Sequence, residues 1–214
     1  DVARATEAWE RAERMLGDDI EGFLAHLRAI HGQTRPQIIT GVRAVVAASG
    51  GAMAFIEGEM VPYAFAHHRL AGLAEGSIRL SLAIDRAATY LSRLNGAEWM
   101  PAALLAVHMH GEDLPALATL LTAIDRLAHN LRLLGLGTGR RVQRFTGVIS
   151  AIRRGTALGE EAHVFAMRRE EARRRAIQEQ LRRIGNCPAG FAWHQTGGGW
   201  RCGGGSHFVS DSQL

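Results

Sequence analysis

Between Leu114 and Leu131 the apolar residues Leu114, Leu117, Leu120, Leu121, Ile124, Leu127 and Leu131 return at intervals of three and four. That is the period of one helix face and not of a strand. Asp113 and Pro115 stand where an N-cap and a first-turn proline belong, and Gly135 follows as a left-handed stop. A helix this long with a continuous apolar stripe must be covered by other helices, so neighbouring segments should carry the same signal.

They do. Val2, Ala5, Ala8, Trp9, Ala12 and Leu16 repeat at helical spacing until Gly17. Asp18 then introduces Ile20, Phe23, Leu24, Leu27 and Ile30. Thr34 to Gln37 has capping-box spacing with Pro36 in the first turn, ahead of Ile38, Ile39, Val42, Val45 and Val46; this β-branched run also suits a strand, but its caps favour a helix. Met53, Phe55, Ile56 and Met60 continue to Pro62, where a break or kink is expected, with His67 and His68 at the end of the segment. Ile78 to Leu94 reads as a helix stopped by Asn95-Gly96, and Trp99-Met-Pro101 opens another that reaches His110.

The stretch from Asp125 to Arg154 joins the long helix to a second one through Gly135, Gly137 and Gly139. Beyond it Val142, Phe145, Val148, Ile149 and Ile152 fall within about 120° of arc, with Arg140, Arg144 and Arg154 opposite. Arginines in a first helical turn oppose the macrodipole unless an anion or a carboxylate compensates. Two readings of Arg140, Arg141, Arg144 and Arg154 therefore stand: a phosphate contact, or a solvated face balanced by acids such as Asp125. The Gly-Leu-Gly-Thr-Gly run follows a helix and lacks G-x-G-x-x-G spacing, which excludes a dinucleotide fingerprint.

Charge sharpens the first reading. All 25 basic side chains are arginine, the residue whose planar fork suits phosphate. Residues 1 to 131 carry a net charge of −4 and residues 132 to 214 one of +8. Six arginines and no acid between Arg132 and Gly159 supply most of the excess, and from Glu160 to Ile184 Arg168, Arg169, Arg173, Arg174, Arg175, Arg182 and Arg183 outnumber a thin line of Val164, Met167, Ile177, Leu181 and Ile184. That stripe is too narrow for a core helix, so a surface helix, a contact with another chain or nucleic-acid binding is expected.

From Gly185 the composition changes to a Gly-, Trp- and Cys-rich tail. Phe191 to Trp193 and Trp200 to Cys202, separated by Gly197 to Gly199, are expected to form a hairpin with its tryptophans packed together. Such a unit is marginal without a staple. Cys187, His194, Cys202 and His207 run in the order C-x6-H-x7-C-x4-H, a donor set suited to zinc although the short C-x2-4-C pair of common fingers is missing. A Cys187 to Cys202 disulfide and two free thiols are the other readings. His67, His68, His108 and His110 form a second group in composition, without an H-E-x-x-H motif. No G-x-S-x-G, Walker A or cysteine-nucleophile context appears, so the chain offers no self-sufficient catalytic residues.

Trp9 with Phe23-Leu-Ala-His-Leu-Arg-Ala-Ile30, Leu91 to Leu105, and Asp125-Arg-Leu-Ala before Arg140-Arg-Val-Gln-Arg-Phe145 resemble the helical middle region of GmrSD-like modification-dependent restriction endonucleases over roughly residues 8 to 155. The resemblance implies phage defence, with modified DNA as substrate, a ParB-like nucleotide-hydrolysing domain before the helices and an HNH-type nuclease after them. Neither the D-G-Q-Q-R motif nor the nuclease histidine context is present, and the Cys/Gly-rich ending departs from the family.

The expectation is an all-α bundle of about eight to nine helices with a small C-terminal hairpin or irregular tail, divided as a helical domain 1–155, a charged basic helix 156–184 and a tail 185–214. With 47% hydrophobic residues and no apolar run approaching about 18 residues, a cytoplasmic protein without a membrane span is expected. Opening on Asp1 rather than methionine is what a piece of a longer protein would show. The expected role is a DNA-binding or scaffolding region through Arg140, Arg141, Arg144, Arg154, Arg173 and Arg174, with enzymatic activity supplied only by other segments. The alternative is a helical interaction module whose basic helix meets an acidic partner or a second copy.

Overall fold

The computed structural model describes residues 2–33 and 37–213. The helices are α1 (Val2–Leu16), α2 (Ile20–Ile30), α3 (Ile38–Ala48), α4 (Ala52–Phe55), α5 (Val61–Glu75), α6 (Leu82–Ser92), α7 (Met100–His110), α8 (Leu114–Leu133), α9 (Thr138–Arg153) and α10 (Arg169–Ile184). Three short strands close the chain, β1 (Trp193–Thr196), β2 (Gly199–Cys202) and β3 (Phe208–Ser210). Because α4 runs into α5 through a π-helical stretch at Ile56–Met60, these make nine continuous helices among the described residues. The expected all-α bundle with a small tail is what forms.

The chain divides into two compact units, Asp1–Ala166 and Met167–Leu214. The segment after residue 155 therefore does not begin a separate helix: Ala162–Phe165 is a 3-10 turn of the helical unit, and the basic helix starts at Arg169 and belongs with the tail.

In the helical unit α7 is the hub, packed by α2, α5, α8 and α9. Its sequence is apolar on every side, which only a fully enclosed helix tolerates, and Pro101 to Val107 are all buried. The long apolar stripe of α8 lies inside, with Leu117, Leu120, Leu121, Ile124, Leu127 and Leu131 at 0% exposure.

Several boundaries differ from expectation. Pro62 neither breaks nor ends its helix, because the wide turn at Ile56–Met60 precedes it and an i+5 hydrogen-bond pattern makes room for a ring that would strike the carbonyl four residues earlier. His67 and His68 consequently sit inside α5, not at its end. The Ile78 helix begins only at Leu82, where Ser81 accepts from the Ile84 amide at 3.4 Å. The N-cap of α2 is Asp19, one residue beyond the expected Asp18. The capping-box reading at Thr34 to Gln37 falls mostly on residues 34–36, outside the described residues, and Gln37 makes no side-chain capping bond. The expected cap of α8 is present, the Ala116 amide donating to Asp113 Oδ1 at 3.0 Å.

No single helix among the described residues is long and apolar enough to cross a membrane. The bent pair Ile38–Ala48 and Ala52–Glu75, at 99°, passes on length and composition alone; Val45, Phe55, Met60, Tyr63, Leu70 and Leu73 of that pair are core residues here.

Candidate metal centre and the arginine faces

The C-terminal unit is built on two matching turns. Cys187-Pro-Ala-Gly190 and Cys202-Gly-Gly-Gly205 each close by an amide of the last glycine donating to the cysteine carbonyl, at 2.7 and 2.8 Å. Both closing glycines hold a positive φ, +80° and +74°, which a side chain would oppose. Between the turns β1 and β2 pair antiparallel across Gly197 and Gly198, and β3 pairs with β2. Gly199 lets β3 come close, since a Cβ there would collide with the Val209 carbonyl oxygen. Trp193 Nε1 donates to the Gly185 carbonyl at 2.8 Å, tying the sheet to the end of α10.

This arrangement brings Cys187, Cys202 and His207 together, with their potential ligand atoms all within 4.8 Å of one another. Both sulfurs are buried and no disulfide joins them. The His207 amide donates to Cys202 Sγ at 3.4 Å, and His207 Nδ1 and Ser206 Oγ lie 3.7 and 3.9 Å from the same sulfur. Burial pushes the Cys202 thiol up, but hydrogen bonds from the His207 amide and side chain, Ser206 and Cys187 together outweigh it and bring the thiol down to about 6. A thiolate near neutral pH is the form that ligates metal. Two thiolates and one imidazole at this spacing could hold a metal ion.

His194, the fourth expected ligand, is not part of the cluster. It pairs with Arg201, whereas Cys202 pairs with Trp193, and successive strand residues point to opposite faces. His194 is thus turned to the other side of the sheet from Cys202 and is exposed. The same register places Trp200 opposite Gln195, and no ring contact joins Trp193 to Trp200 among the described residues. The paired Cys-x-x-Gly turns are visible in the sequence as two glycines three residues after two cysteines.

Among the six expected phosphate-binding arginines the structure separates three kinds. Arg140 is exposed and has no partner among the described residues. Arg141 meets the Glu98 carboxylate with Nε at 3.0 Å and Nη2 at 2.5 Å, and Nη1 also donates to the Leu136 carbonyl. Arg132 reaches the other Glu98 oxygen at 3.1 Å. Burial pushes the Glu98 carboxyl up, yet the bonds from Arg141 and Arg132 hold it below the ordinary glutamate range. Arg144 is 5% exposed and donates to the Val164 and Ala166 carbonyls at 3.1 and 2.6 Å. Arg154 pairs with Glu161 at 2.6 Å while staying 55% exposed. An arginine outside that set, Arg153, donates to the Ile30 carbonyl at 3.0 Å and links α9 to the end of α2. The solvated-face reading calls for nearby acids such as Asp125; acids do pair with Arg141 and Arg154, but they are Glu98 and Glu161, while Asp125 lies against His129 at 2.9 Å.

In α10 the pattern is different. Arg169, Arg173, Arg175, Arg182 and Arg183 are all exposed and fall within about 180° of arc at about 100° per residue. Glu179 is the single acid on that arc, 3.5 Å from Arg183. Arg174 turns the other way, toward the side of Ile177 and Leu181, and its Nε is buried without a hydrogen-bond partner.

The other histidines do not assemble into a metal cluster among the described residues. His108 stacks on Tyr63 with ring centroids 4.3 Å apart, and His67 meets Phe23 edge-on at 6.0 Å. Burial lowers both imidazoles below their ordinary value and takes His26 down to about 4. Comparison of the chain with protein-family models, with curated proteins and with solved structures gave no match.

Proposed function

We propose that the chain is a DNA-binding adaptor in which the helical unit is the scaffold and the C-terminal unit is a zinc-held module that grips the phosphate backbone with α10. The observation that carries this reading is the exposed arginine half of α10, five guanidinium groups of which Arg183 lies beside Glu179 and Arg175 also has a partner. Such a density of exposed positive charge is unfavourable for an isolated helix and is offset when condensed counterions on a polyanion are released. Arg140 adds an exposed cation at the start of α9, whereas Arg141 and Arg144 hold their own unit together. Zinc suits the Cys187, Cys202 and His207 donors, with a fourth position left to water or to a ligand outside the cluster. A restriction system, the setting implied by the resemblance to GmrSD-like endonucleases, is one context in which such an adaptor would act.

Fluorescence anisotropy of a labelled duplex across a salt series tests it. The triple change Arg169→Ala, Arg173→Ala, Arg183→Ala should weaken binding and flatten the slope of log affinity against log salt by about 0.9 for each phosphate no longer neutralised. An unaltered affinity and slope would remove α10 as the DNA-facing element. A second reading, a protein-interaction module, draws on Ile184, Phe191 and Phe208, which are 49%, 48% and 44% exposed in the same unit. Sedimentation without DNA separates the two, because only the interaction reading requires assembly in its absence.

A further inference from the structure

In the helical unit α1, α5 and the turn from α7 into α8 enclose a cleft of about 530 Å³. That volume lies in the range of small-molecule sites. Met15, Val61, Phe65 and Met109 give it an apolar wall, on which Phe65 and Met109 are 58% and 44% exposed, and Arg11 and Arg69 stand on the same lining. The Arg69 side chain is only 16% exposed, yet the carboxylate nearest it, Glu112, lies 3.4 Å away and is itself 99% exposed. A guanidinium carries five N–H donors. Those not turned to Glu112 have no partner among the described residues and are still accessible. A cation drawn this far out of water without a close counter-charge is unfavourable, and an oxyanion at its fork offsets that cost. Gly111 makes the room, since a Cβ there would come 2.7 Å from Arg69 Nη1. Arg11 is exposed and also has no partner among the described residues. The other groups of the lining limit the charge that can enter. Glu112 and Asp113 belong to it, Asp113 is held by the Ala116 amide at 3.0 Å, and burial favours the neutral form of His108. Two guanidinium groups against two carboxylates suit a monoanion better than a dianion.

We infer that this cleft is a binding site for a small amphipathic carboxylate. The carboxylate takes the Arg69 fork in place of the freely exposed Glu112, Arg11 adds a second positive charge, and the apolar body covers Val61, Phe65 and Met109. The site is in the helical unit and is independent of the zinc and DNA readings.

A matched pair of probes, 4-phenylbutyrate and 4-phenylbutanol, keeps the apolar body and changes only the charged end. The chain has six methionines, of which Met15 and Met109 line the cleft, and their labelled methyl signals are assigned by single Met→Leu changes. The expected result is a saturable shift of the Met15 and Met109 signals with the carboxylate and an affinity about tenfold or more lower for the alcohol. Arg69→Gln should bring the carboxylate down to the affinity of the alcohol while the other four methionine signals stay in place. Arg11→Gln and Glu112→Gln are surface changes that decide the question if Arg69→Gln fails to fold: the first should weaken carboxylate binding severalfold, the second should strengthen it, and neither should alter that of the alcohol. Met15 and Met109 signals that do not move up to the solubility limit of the carboxylate overturn the inference. Equal affinity for the two probes does so too, as does a carboxylate affinity that neither surface change alters.

Discussion

In the helical unit α7 alone buries every residue from Pro101 to Val107, while among the described residues of the C-terminal unit the buried apolar ones are Leu181, Cys187, Trp200 and Cys202. The first unit rests on an extensive apolar core spread over several helices. The second lies well below the about 70 residues at which an apolar core alone begins to suffice, and half of its buried set is cysteine. Arginine use follows the same division. In the helical unit guanidinium groups bind Glu98, carbonyls at the ends of elements and Glu161; in α10 they line an exposed face. One residue type thus holds one unit together and gives the other its outward charge.

The largest test of that contrast is removal of the proposed metal ligands. Cys202→Ala, or a strong chelator, should abolish the fold of the C-terminal unit, since zinc contributes on the order of 10 kcal/mol to small domains that depend on it. The indole signals of Trp193 and Trp200 should collapse while those of Trp9 and Trp99 persist. Leu121→Ala, at a fully buried position of α8, is the reciprocal change. It should cost the helical unit about 2–5 kcal/mol in denaturant unfolding and leave zinc content untouched.

Acid separates the units less strongly. His26 is held at about 4 in the folded chain against about 6.5 unfolded, so the unfolded chain binds more protons between those values. The stability tied to its neutral form is fully present above about pH 6.5 and is lost as pH falls toward 4, by up to about 3 kcal/mol. His26→Gln should flatten that part of the helical unit's stability profile. Glu98→Gln leaves Arg132 and Arg141 without their shared carboxylate and is expected to cost about 2 kcal/mol, read as a lower melting temperature. Smallest of all, Arg173→Ala should change stability by no more than about 0.5 kcal/mol, and under the proposed function it should also weaken DNA binding.

The helices are legible in the sequence because their signals are local: apolar periodicity in α8, glycine stops at Gly17 and Gly135, a cap at Asp113. Where sequence and structure part, the cause lies in residues far apart in the chain or in geometry that composition does not carry. Arg141 looks like a phosphate ligand until Glu98, 43 positions away, comes beside it. Pro62 looks like a break because nothing in the residue types announces the π-helical turn before it. Strand β3 is three residues long, too short for alternation to register, and it is the strand that follows His207 and pairs with β2. Residue type groups His194 with the ligands, whereas the parity of strand pairing decides which face it takes.

Whether Cys187, Cys202 and His207 hold the C-terminal unit together through a metal is tested most directly by zinc content. The chain is purified without chelators and compared with Cys187→Ala and His194→Ala. The prediction is one zinc per chain, lost in Cys187→Ala and retained in His194→Ala. Zinc well below one per chain, or zinc that survives the removal of Cys187, would contradict it.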